Sequence, residues 1–119
     1  MKSIPLENGY HAFFYDQSRT IAGDRLLVQL LLDIPIPVNS SDLERIPSSR
    51  ASSEAFISEC DSELHYHLIK TRHFVPAPEK TEVLSQLEAE LQKTVLPYLG
   101  HPDFGRNFIL KTYQEWLNS

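Results

Sequence analysis

The clearest pattern in the chain is an alternation of apolar and mixed positions between Arg25 and Val38. Every even position in this segment is apolar: Leu26, Val28, Leu30, Leu32, Ile34, Ile36 and Val38. Successive side chains of a strand point to opposite faces, so the pattern predicts a strand with one apolar face and one partly polar face. Such a strand is typical of an antiparallel sheet that is covered on one side.

Pro35 and Pro37 add a prediction about how this strand is paired. Residues two apart in a strand direct their backbone N–H groups to the same neighbour, and proline has no such donor. One edge of the last third of the strand is therefore expected to be unpaired. We predict a strand that is central in the sheet at its start and extends beyond its partner on one side at its end.

Two other segments are predicted strands. Residues 10–17 are rich in aromatic side chains, which favour strands, and residues 18–24 would form the loop of a hairpin with the central segment. Residues 63–75 also alternate, and their expected core face holds Leu64, Tyr66 and Leu68. Residues 1–8 are expected to be extended and loosely held.

The second half of the chain has helical periodicity. Residues 78–99 place their apolar side chains in one arc, with Pro78 at the first position and Gly100 as the stop. Pro97, near the end of this helix, is expected to kink or terminate the last turn. A last helix begins near Pro102 or Asp103, and its apolar side chains spread over about 200° of its surface. Residues 52–60 fit either a short helix, which we favour, or a strand.

The resulting order of elements is strand, strand, helix, strand, helix, helix. This order predicts an α+β fold for residues 1–119 as a single domain. We expect a small antiparallel sheet of about three strands with the two C-terminal helices packed on one face.

Composition narrows the class of partners and the compartment. The net charge of -5 disfavours nucleic acid and anionic membranes as partners. A single cysteine precludes an internal disulfide, which indicates a reducing compartment. The N-terminus lacks the apolar segment of a signal peptide, and no apolar run reaches the length of a membrane span. We therefore predict a cytoplasmic location.

Histidines on the third predicted strand are the best chemical lead. His65 and His67 are two residues apart, so their imidazoles project from the same face, and Glu63 lies on that face too. His11 would join them if the hairpin brings it to that side. Imidazole and carboxylate groups are zinc ligands, so these residues are candidates for a divalent metal or a small ligand. A half-exposed sheet face on which histidine is simply tolerated is the alternative.

Two arginines flank the predicted hairpin loop. Arg19 and Arg25 are candidates for binding a small anion, although they and Asp24 would equally serve to fix the loop. The chain contains no phosphate-binding loop, dinucleotide fingerprint, nucleophile elbow, zinc-protease helix or calcium loop. We therefore assign no catalytic residue and expect no catalysis.

The wide apolar arc of the last helix suggests a contact with a partner. Apolar surface that stays exposed usually marks an interaction site. The candidate interface residues on this helix are Phe108, Tyr113, Trp116 and Leu117. We predict a small protein-interaction module that self-associates and needs no cofactor. The alternative is a metal- or small-ligand-binding protein that uses the histidine-bearing sheet face.

Overall fold

The computed structural model describes residues 2–119. In chain order its strands and α-helices are β1 (Lys2–Pro5), β2 (His11–Asp16), β3 (Arg19–Ala22), β4 (Arg25–Pro37), α1 (Arg50–Glu59), β5 (Glu63–Pro76), α2 (Lys80–Thr94), α3 (Leu96–Leu99) and α4 (Phe104–Leu117). Short 3-10 helices span Ser40–Leu43 and Ala77–Glu79. Among the helices of this described part, none is both long enough and apolar enough to cross a membrane.

The sheet is built around β4. One edge of β4 pairs with β5 from Arg25 to Pro37, and the other edge pairs with β3 and then β2. β1 pairs with the outer edge of β2, and all pairings are antiparallel. The predicted α+β class with an antiparallel sheet is therefore confirmed. The sheet has five strands rather than about three, so the predicted order of elements is only partly right.

The predicted apolar face of β4 forms the core of the protein. Leu26 is half-buried, and the other apolar side chains on this face are at most 5% exposed. These are Val28, Leu30, Leu32, Ile34, Ile36 and, just after the strand, Val38. The helices cover this face through fully buried side chains, among them Leu87 and Leu91 of α2 and Tyr113 of α4. The period-two interpretation of this segment is confirmed.

The pairing inferred from the two prolines is also confirmed. On the edge shared with β2, pairing ends at Asp33, two residues before Pro35. On the edge shared with β5, pairing continues to Pro37. The end of β4 is thus open on one side only, as expected for a strand that lacks donors at both prolines.

Two strands were not predicted. Lys2–Pro5 are extended, as predicted, but they form β1 and pair with β2, so the prediction that they are loosely held is wrong; Met1 lies outside the described residues. The predicted loop at 18–24 contains β3. At the interruption between β2 and β3, the Asp16 carboxylate accepts the Ser18 N–H at 2.9 Å, and the Ser18 hydroxyl accepts the Gln29 N–H at 3.1 Å. Side chains thus replace backbone partners here, and the strand resumes.

One helix prediction is confirmed, and another is corrected. The ambiguous segment at 52–60 is helical, within α1, and Ser49 caps it by accepting the Ser52 N–H. The single helix predicted for residues 78–99 is divided into a 3-10 turn, α2 and α3. Pro97 has no N–H to continue the α2 hydrogen bonds, and the chain breaks at Val95. As a result Tyr98 is 72% exposed instead of lying in the apolar arc.

Candidate functional site

The side of the sheet opposite the helices is the candidate functional surface. We call it the open face; it is formed by the odd positions of β2 and β4 and by those of β5 as far as Thr71, beyond which a bulge shifts the register. Residues directly opposite each other in an antiparallel sheet share a face, so the register defines its rows. One row is Tyr15, Leu31 and Ile69, and the adjacent row is Phe13, Asp33 and His67.

The first of these rows is an apolar strip. Tyr15 is 36% exposed and Ile69 is 50% exposed, and Leu31 lies half-buried between them. Single exposed apolar side chains are ordinary in folded proteins, but contiguous ones mark contact surfaces. Phe13 extends the strip into the next row. This strip is a contiguous apolar feature on the face that the helices leave uncovered.

Asp33, His65 and His67 form a compact cluster beside the strip. The Asp33 Oδ1 atom lies 2.9 Å from His65 Nδ1 and 2.9 Å from His67 Nε2. Asp33 is only 7% exposed, whereas the two imidazoles are about half exposed at 44% and 55%. Asp33 is the one buried charged residue among residues 2–119, and it lies on the open face rather than in the apolar core. We call this group the carboxylate–imidazole cluster.

The β4–β5 register assembles this cluster. Asp33 lies directly opposite His67, and Pro35 lies opposite His65, so both imidazoles reach the same carboxylate. The spacing of the two histidines predicted both imidazoles, but Asp33 was not among the predicted site residues. Its only signal was an acidic residue within an otherwise apolar stretch.

The other two predicted members of the site lie outside the cluster. Glu63 Oε1 is 3.0 Å from His65 Nε2, so Glu63 holds the far side of that ring rather than the point shared with Asp33. His11 is exposed on β2, and its ring lies 6.4 Å from that of Phe13. The ligand atoms that lie within 4.8 Å of one another belong to Asp33, His65 and His67.

The two arginines lie at the turn end of the sheet. Arg25 forms an ion pair with Asp24 at 3.1 Å, which fits a role in fixing the loop. Arg19 lies opposite Leu27 and therefore on the open face. The distance along β4 between Arg25 and Asp33 is about 26 Å. Arg19 and Arg25, the latter paired with Asp24, thus lie at one end of the open face, and Asp33 and Glu63 lie towards the other. Anion binding stays a prediction.

The proposed interface residues of α4 are largely engaged within the protein. Tyr113 is fully buried, and its hydroxyl contacts the Ser48 hydroxyl at 2.6 Å, so it lies in the core and not on a contact surface. The Trp116 N–H donates to Glu59 at 2.8 Å. Phe108 and Leu117 are half-buried against the core. The apolar arc is wide because α4 packs against both the sheet and α1, where its Trp116 ring meets Phe56.

A groove on the helix side is the other concave feature of note. Tyr66, Tyr98, Phe104, Phe108 and Lys111 are among its lining residues. Partial burial, followed by the proximity of Tyr98, raises the pKa of Tyr66, so this phenol stays neutral and can donate a hydrogen bond. Its walls are aromatic and pack edge to face against each other. Its titratable lining residues are Tyr66, Tyr98, His101 and Lys111, and no carboxylate is among the described residues that line it.

Comparisons with protein-family models, with curated proteins and with solved structures gave no significant match.

Proposed function

We propose that this protein is a self-associating module and that two copies pack through their open faces. The apolar strip Tyr15–Leu31–Ile69, on a sheet face that the helices leave uncovered, carries this proposal. Two antiparallel sheets commonly pack face to face, with the side chains of the facing surfaces interlocking. Burying the strip would remove its apolar side chains from water, which is the main driving force of association.

The dimensions of the open face suit a second copy. β4 has 13 residues, and a strand of that length extends about 43 Å. With strands about 4.8 Å apart, the face offers roughly 600 Å² in projection. Each partner of a standard interface contributes ~800 Å², so this face is of the right order for a dimer of modest affinity.

The charges on the open face favour one arrangement of the two copies. A two-fold axis that runs across the strands through the Leu31 row reverses the strand direction of the second sheet. Arg25 of one copy then lies over Pro37 of the other, next to Glu63, which is directly opposite Pro37. The basic end of each copy meets the acidic end of the other, and a two-fold axis forms this contact twice. This complementarity opposes the general repulsion expected from a net charge of -5.

Sedimentation velocity over a range of micromolar concentrations tests the proposal. The wild-type chain should sediment as a dimer, and Ile69→Lys should sediment as a 13.7 kDa monomer. Ile69 is half exposed in the single copy, so this change should leave the fold intact. Tyr98→Lys is the matched control, since Tyr98 is even more exposed but lies on the helix side. A wild-type monomer at all concentrations, or a dimer lost only in Tyr98→Lys, would contradict the proposal.

A charge-reversal pair tests the orientation. Arg25→Glu and Glu63→Lys should each weaken the dimer, and the double variant should recover most of the loss. Dimer formation should be measured in the presence of a chelator, so that no bound metal contributes to the affinity. A double variant weaker than both single variants would refute this arrangement, while leaving the open face itself to the Ile69 experiment.

A further inference from the structure

We infer that Asp33, His65 and His67 form a binding site for one divalent metal ion, zinc or a borderline ion such as nickel. The three residues supply one carboxylate oxygen and two imidazole nitrogens, all within 4.8 Å of one another. Two histidines and one carboxylate are a common ligand set for zinc in proteins. Calcium and magnesium prefer all-oxygen sites, so the imidazoles favour a transition metal.

The geometry needs little adjustment to admit an ion. Both imidazole nitrogens are directed at the same oxygen, Asp33 Oδ1, at 2.9 Å. Four-coordinate zinc with bonds of about 2.1 Å keeps its ligand atoms about 3.4 Å apart, so each contact widens by about 0.5 Å. His65 and His67 are about half exposed and have room to shift by this amount, while the Asp33 side chain is held at 10% exposure. The fixed carboxylate and the two adjustable rings thus converge on one point.

Glu63 supports this site from behind His65. His65 directs Nδ1 at the cluster, and its Nε2 lies 3.0 Å from a Glu63 oxygen. A histidine that binds a metal through one nitrogen usually donates the N–H of the other to a carboxylate or carbonyl. This partner fixes the tautomer and the orientation of the ring. Glu63 is therefore a positioning residue, where the sequence suggested a ligand.

The chain itself provides three ligands and leaves one position of a tetrahedral ion open. Such a position takes water or an external ligand. The inference does not depend on self-association, because all three ligands belong to one copy. The Ile69→Lys monomer should therefore bind metal as the wild-type chain does.

Isothermal titration of the untagged chain with zinc chloride and with nickel chloride tests the site. The wild-type chain should bind one equivalent. His67→Gln and Asp33→Asn should each weaken binding at least tenfold, and Glu63→Gln should weaken it by about tenfold as an orienting partner. His73→Gln is the matched control, since His73 is an exposed histidine on the same strand outside the cluster, and its affinity should be unchanged.

Cobalt(II) provides a readout that a merely structural role would not change. The wild-type complex should show the visible absorption of a four-coordinate ion, and His67→Gln should lose it. Circular dichroism of each variant establishes that it is folded. An absence of binding to the folded wild-type chain, or binding that His73→Gln weakens as much as His67→Gln, would overturn the inference.

Discussion

The contact between Gly105 and Tyr10 makes a sharp prediction about stability. Gly105 is buried in the first turn of α4, and a methyl group at its Cα would overlap the phenol oxygen and two ring carbons of Tyr10. Overpacking of this kind costs about 1–3 kcal/mol. Alanine is a better helix former than glycine by up to ~1 kcal/mol, which acts in the opposite direction. We therefore expect Gly105→Ala to lower the free energy of unfolding by about 0.5–2 kcal/mol.

The same substitution should have the opposite sign once the ring is removed. In a Tyr10→Leu background the methyl has room, so only the helix propensity remains and Gly105→Ala should stabilise by up to ~1 kcal/mol. Tyr10→Phe removes the phenol oxygen but keeps the two overlapping ring carbons, so it should give an intermediate result. Urea unfolding of the four chains of the double-mutant cycle measures the coupling, provided that the slope with denaturant stays constant. An equal effect of Gly105→Ala in both backgrounds would refute the contact.

Two further predictions concern the faces of β4 and a surface ion pair. Leu32→Ala should lower the free energy of unfolding by about 3–5 kcal/mol because Leu32 is fully buried. Leu31→Ala, on the open face, should lower it by roughly 1 kcal/mol. Similar midpoints of urea unfolding for the two variants would contradict the assigned faces. Partial burial raises the pKa of Asp16, but hydrogen bonds from Lys80 and Ser18 and the charge of Lys80 outweigh it and lower the pKa to about 2. The stabilisation is complete above the usual value of 3.8 and is lost as the pH falls towards 2. Lys80→Met should raise the pKa of Asp16 in an NMR titration, whereas the control Lys111→Met should not. An unchanged Asp16 titration curve for Lys80→Met would contradict the ion pair.

The sequence was informative where a pattern was local and long. The faces of β4 followed from seven alternating apolar positions, and its open edge followed from Pro35 and Pro37. β3 escaped prediction because the Ser18 hydroxyl accepts a hydrogen bond that a backbone carbonyl would otherwise accept. Such a substitution of side chain for backbone leaves no periodic signal.

The candidate site was only half predictable for a different reason. The spacing of His65 and His67 is a property of one strand, and the sequence is sufficient to place both imidazoles on one face. Asp33 belongs to the cluster only because of the register between β4 and β5. These two strands are separated in the chain by α1 and pair over their full length. A shift of one residue would turn Asp33 towards the helices and away from both histidines. The site is thus a consequence of tertiary pairing, and hydrophobic periodicity does not encode it.

The position of Asp33 argues that the carboxylate–imidazole cluster is not there to hold the fold together. The core lies on the other face of β4, where the apolar side chains meet the helices. Burying a carboxylate costs several kcal/mol, and replacing a buried ion pair by apolar residues of similar volume is often neutral or stabilising. The imidazoles of His65 and His67 are half exposed and would be solvated by water without Asp33. An apolar side chain between Leu31 and Pro35 would therefore serve the sheet at least as well. A carboxylate that the fold does not require, lying within hydrogen-bond distance of two imidazoles on the open face, supports the metal site that we infer there.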